Sequence, residues 1–141
     1  MFSYIWPVAL VVLTGVIYHI TTKSVPGDVN PFASLVVTYL ISAVVSAAMF
    51  FLISPEKNLA AELSKVNWAS YALGLAIVFL EVGSICAYKA GWTIGTFFIV
   101  QSAITNVFLV FIGNLLYGEP ITWKKIAGTV ICMIGLGFIN M

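Results

Sequence analysis

Five apolar runs dominate this chain, each close to the about 20 residues that an α-helix needs to cross a bilayer. They span residues 3–22, 32–53, 68–88, 96–117 and 123–140, and little sequence is left to connect them. In hydrocarbon every backbone amide must be satisfied within the protein, so a spanning segment is a helix or a strand of a closed barrel. The runs lack the two-residue alternation of barrel strands. The expected fold is therefore an all-α integral membrane protein with five transmembrane helices and short connections. Only 8% of the residues are charged, against about 25% in soluble domains.

The connections carry matching punctuation. Lys23 to Pro31 ends the first helix, and Pro31 opens the second. Pro55 closes the second. Glu56 to Asn67 is the longest polar stretch, and Ala60-Ala61-Glu62-Leu63 suits a short interfacial helix. Gly91-Trp92-Thr93-Ile94-Gly95 forms a tight turn, and Gly118-Glu119-Pro120 breaks the chain before the fifth helix. Trp6, Trp68, Trp92 and Trp123 lie near run ends, as an aromatic belt requires. The N-terminus has no basic leader and no small-residue cleavage site, so it reads as the first membrane helix.

Orientation is weakly encoded. With the N-terminus inside, Lys57, Lys65, Lys124 and Lys125 lie on the inner side, and Lys23 and Lys89 on the outer. This favours N-in and C-out by the positive-inside rule. So small a bias permits insertion both ways, and two copies of opposite orientation would form an inverted pair. A net charge of +1 offers no footprint for nucleic acid. All six cations are lysines, which argues against bidentate phosphate clamps. Cys86 and Cys132 fall inside apolar runs and read as buried structural thiols. No catalytic constellation, cofactor motif or metal-ligand cluster is present, so an enzyme is not expected.

One residue breaks the apolar pattern. Glu81 is the only one of the five acids at mid-depth in a run. A charge at the bilayer centre costs about 2.5–3.5 kcal/mol on insertion scales, so an acid there marks a substrate, ion or proton site. The competing reading is a protonated or hydrogen-bonded Glu that glues two helices. At helical spacing Ser84 and Tyr88 share its face and offer hydroxyls to the carboxylate or a ligand. In the fourth helix Gln101, Ser102, Thr105 and Asn106 form one polar sector. It suits either a solute-lining wall opposite Glu81 or interhelical hydrogen bonds. Tyr18 and His19 stand near the end of the first helix. Tyr39 in the second is a weaker candidate, and Glu119 reads as exposed.

The third to fifth runs carry a resemblance. Glu81-Val-Gly-Ser-Ile-Cys-Ala-Tyr-Lys-Ala-Gly-Trp-Thr-Ile-Gly95 precedes the polar-studded helix. Gly113-Asn-Leu-Leu-Tyr-Gly-Glu-Pro-Ile-Thr122 and Ile126-Ala-Gly-Thr-Val-Ile-Cys-Met-Ile-Gly135 then follow. Together with Gly15-Val-Ile-Tyr-His-Ile-Thr-Thr-Lys23, this resembles an EamA-type domain of the drug/metabolite transporter superfamily, over nearly the whole chain. Small multidrug resistance proteins share the Gly-Glu corner but have four helices. Two departures stand out. The family often places an Arg early in the second helix, where this chain has Thr38-Tyr39. Small multidrug resistance proteins carry their essential Glu in the first helix, which here has none, so their mechanism does not transfer to Glu81.

The resemblance implies a single EamA-like domain, residues 1–141, forming one half of an inverted-repeat transporter in the cell membrane. A second copy, most simply inverted, would supply the missing half, with the site near the midplane between the repeats. Glu81 from each copy would meet there. Two close carboxylates do not both hold charge cheaply, so protons and a cationic or amphipathic small molecule would compete for the pair. Glu81, Gln101, Ser102, Thr105, Asn106, Tyr18, His19, Ser84 and Tyr88 are the candidate substrate- and proton-binding residues. Two other readings stay open: a non-transporting membrane subunit of a hetero-oligomer, and a lipid-linked flippase.

Overall fold

Asparagine and threonine side chains set where the helices begin. Asn30 caps the second helix by accepting a hydrogen bond from Phe32 N (2.9 Å), with Pro31 at the first helical position. Asn67 accepts from Ala69 N at 3.0 Å and opens the helix that carries Glu81. Thr93 accepts from Thr96 N at 3.3 Å at the next start. Gly118, with φ +64°, closes that helix in the left-handed conformation that glycine adopts without strain.

A computed structural model describes residues 2–139. It contains six helices: α1 Phe2–Lys23, α2 Pro31–Ile53, α3 Leu59–Leu63, α4 Trp68–Lys89, α5 Ile94–Tyr117 and α6 Trp123–Ile139. No strand occurs among the described residues. The helix bounds fall within two residues of those expected from the apolar runs, and α3 lies in the long polar connection. Four helices, α1, α2, α4 and α5, are long and apolar enough to cross a membrane. The described part of α6 has 17 residues, or ~26 Å at 1.5 Å per residue. The expected end of the last span, Asn140, lies outside the described residues.

The chain divides into two compact units, Met1–Ala90 and Gly91–Met141. In the first, α4 packs against both α1 and α2. Leu35, Ser84, Ile85 and Tyr88 are the buried residues among those described. Most large apolar side chains, such as Val11, Leu13, Val44 and Leu52, face outward. Water would not tolerate such a surface, whereas lipid solvates it. In the second unit α5 packs against α6.

Both cysteines depart from expectation. Cys86 and Cys132 are exposed rather than buried. A thiol is a small apolar group and sits as readily against hydrocarbon as in a core.

Candidate functional site

The first unit holds a partly open cavity of about 140 Å³. Helix α1 and the residues just after it supply Tyr18, Thr21, Thr22 and Val25, at i, i+3, i+4 and i+7 of one helical stripe. Helix α2 supplies Ser34, Leu35 and Thr38, and α4 supplies Glu81 and Ile85 one turn apart. Glu81 is half-buried and is the only charged residue in the lining.

Three of the lining hydroxyls point their protons at their own helices. Thr21 Oγ1 donates to the Ile17 carbonyl at 2.9 Å, and Thr22 Oγ1 to the Tyr18 carbonyl at 2.7 Å. Thr38 Oγ1 donates to the Ser34 carbonyl at 3.2 Å. Such back-bonding is the usual refuge of a threonine inside a helix. The Tyr18 and Tyr39 hydroxyls are each buried with no protein partner of ordinary hydrogen-bond geometry. Tyr39 nonetheless lies close enough to Glu81 to interact with its carboxyl.

Beside the cavity, toward the C-terminal end of α4, a hydrogen bond joins His19 Nδ1 to the Tyr88 hydroxyl at 2.8 Å. The His19 ring stands edge-on to Tyr18, with centroids 5.1 Å apart. Lys23 Nζ lies 5.8 Å from the centre of the Tyr88 ring, within cation–π range. Lys89, which sequence alone suggests would only snorkel, instead donates to the Gly27 and Val29 carbonyls. It thereby ties the end of α4 to the loop between α1 and α2.

Of the candidates expected from sequence, Tyr18, His19, Glu81, Ser84 and Tyr88 come together in this unit. Their bonds differ from the expectation. Tyr88 pairs with His19, and buried Ser84 donates to the Leu80 carbonyl at 2.9 Å. Thr21, Thr22, Ser34 and Thr38 were not among the candidates. Their helical spacing from Tyr18 and from one another was the available signal.

Gln101, Ser102, Thr105 and Asn106 lie on α5 in the second unit. Ser102 donates to the Ile99 carbonyl at 3.2 Å, and Gln101 is half-buried. Asn106 lines a groove of about 410 Å³ with Glu119, Lys124, Lys125, Thr129 and Cys132. Glu119 is exposed, as expected, and pairs with Lys125 Nζ at 3.2 Å. The Gly-Glu corner has a structural explanation. Asn114 Nδ2 donates to the Glu119 carbonyl at 2.8 Å, and Glu119 N donates to the Gly113 carbonyl at 3.1 Å. A Cβ on Gly113 would stand 3.2 Å from the Glu119 carboxylate, which is exposed and could shift by the few tenths of an ångström needed.

Comparison with known protein families gives a match over the whole chain. The model of the EamA-like transporter family covers residues 1–141. No curated protein and no solved structure matches the chain.

Proposed function

This chain belongs to the EamA-like transporter family, and from that premise we propose that it is a secondary transporter of small metabolites or organic cations. It is a multi-pass membrane protein, placed by this reading in the cell membrane. Residues 1–141 act as a single five-helix domain, one half of an inverted-repeat transporter, with α6 as the fifth span. A second copy inserted in the opposite orientation supplies the other half. Glu81 binds the solute or a proton in turn, aided by Tyr18, His19, Ser84 and Tyr88. The α5 residues Gln101, Ser102, Thr105 and Asn106 line the same path in the assembled dimer.

The observation that carries this reading is the Glu81 cavity. An acid among apolar helices is expensive unless something compensates it. Here it opens onto a hydroxyl-lined space rather than a fixed basic partner: no lysine or histidine is among the lining residues. Tyr39 of α2 lies close to the carboxyl, but the cavity leaves the rest of it open. The arrangement leaves room for a solute or proton to act as the missing partner, and competition between them couples transport to the proton gradient.

Transport by purified protein in proteoliposomes tests this, using a panel of radiolabelled metabolites and organic cations with and without an imposed pH gradient. Wild type should accumulate at least one of them in response to the gradient. Glu81→Gln should abolish that response while still inserting and folding. Uptake by Glu81→Gln at the wild-type rate and with the same pH dependence would refute the coupling role.

A further inference from the structure

The lining of the Glu81 cavity carries more acceptors than donors: the Tyr18 and Ser34 hydroxyls can donate, but the other polar groups accept. The carboxylate only accepts hydrogen bonds. Thr21, Thr22 and Thr38 have each committed their single hydroxyl proton to a helix carbonyl, so toward the cavity they offer lone pairs only. The backbone amides nearby belong to helices and are already bonded. No cationic side chain lines the space. An occupant that brings positive charge suits this lining best, because no cationic side chain offsets the carboxylate and a neutral apolar group would not either.

Size and shape narrow the occupant further. At about 140 Å³ the cavity is comparable to a ~150 Å³ cavity that admits benzene, a body of about six non-hydrogen atoms. Quaternary ammonium groups have no N–H to donate and are recognised by aromatic cages. Here Tyr18 is the only aromatic residue in the lining. Val25, Leu35 and Ile85 give an apolar wall for a short hydrocarbon body.

We infer that the Glu81 cavity binds a small protonated primary amine, its ammonium donating to the Glu81 carboxylate and to the hydroxyl oxygens of Thr38 and Thr21 or Thr22. The inference rests on the transporter reading of this cavity and names the substrate class it takes. The ammonium supplies up to three donors to the carboxylate and the threonine oxygens, and its charge replaces the basic side chain that the lining lacks.

Binding to the purified full chain in detergent, followed by titration calorimetry and thermal shift, tests it without requiring transport. The probes are cyclopentylammonium, cyclopentanol, tetramethylammonium and sodium. Cyclopentylammonium should bind and raise the apparent stability, whereas the other three should do neither. Glu81→Gln should weaken amine binding by about 10- to 100-fold, the worth of a charge-assisted hydrogen bond. Thr38→Val should weaken it by about 2- to 10-fold. If Glu81→Gln fails to fold, Thr38→Val and the contrast of amine with alcohol on the wild type decide the matter. Equal binding of cyclopentanol, tetramethylammonium or sodium would overturn the inference, as would amine binding indifferent to both substitutions. Failure of amine binding beside Glu81-dependent transport of another solute would overturn this substrate class alone. Amine binding without any transport would support the class and refute the transporter reading.

Discussion

At the scale of single residues, the side chains of α1, α2 and α4 divide into those that are spent and those that are free to act. Ser84, Thr21, Thr22 and Thr38 are bonded to helix carbonyls, and Tyr88 holds His19. The Tyr18 hydroxyl stays buried with no protein partner of ordinary hydrogen-bond geometry, a state that costs about 1–3 kcal/mol. A purely structural cluster has no reason to keep that cost beside an acid, but a binding site does. The His19–Tyr88 bond makes a separable contribution. Tyr88→Phe removes one interhelical hydrogen bond, which averages about 0.6 kcal/mol in membrane proteins. The variant should show a small fall in stability by chemical denaturation in mixed micelles and an intact helix content. Stability equal to wild type would show that the bond contributes nothing.

At the scale of elements, the loop between α1 and α2 is held from a distance. Lys89 donates to two of its carbonyls from some 60 positions along the chain, and the loop is bounded by Val25 and Ser34 of the cavity lining. Lys89→Met keeps the length of the side chain and removes the donor. It should speed amide hydrogen exchange across residues 24–30 while α1 and α4 keep their protection. Unchanged exchange in that loop would show that the two bonds do not hold it. This contact illustrates what the sequence hid. A lysine at a helix end looks the same whether it reaches for water or for a backbone far away in sequence. Helix starts were readable because Asn30-Pro31, Asn67 and Thr93 act within three residues of themselves. Glu81 was readable because an acid stands out among apolar neighbours. The partners of Ser84 and Tyr88 were not, since a shared helical face says nothing about which neighbour a hydroxyl meets. Thr21 and Thr22 are easy to miss because a Thr next to a helix end is ordinary, and only the packing of α1 on α4 turns their stripe inward.

At the scale of the whole molecule, the account depends on two copies and on an orientation that the charges barely fix. Four lysines lie on the inner side and two on the outer when the N-terminus is inside. Replacing Lys57 and Lys65 with Asn leaves two on each side, and the inverted population should rise by the positive-inside rule. Protease accessibility of a C-terminal tag in intact and permeabilised cells reads the change. A wild type inserted wholly in one orientation, and unmoved by these substitutions, would leave the inverted pair without support. The outward apolar faces of both units are available to lipid and to a second copy alike, so the dimer must be judged by such experiments rather than by exposure. Its central claim is narrower: the Glu81 carboxyl exchanges a proton within the bilayer. Infrared difference spectroscopy of the reconstituted protein, between acidic and neutral pH, observes that proton directly. The account predicts a protonated-carboxyl band that Glu81→Gln removes. A difference spectrum identical in wild type and variant would contradict it.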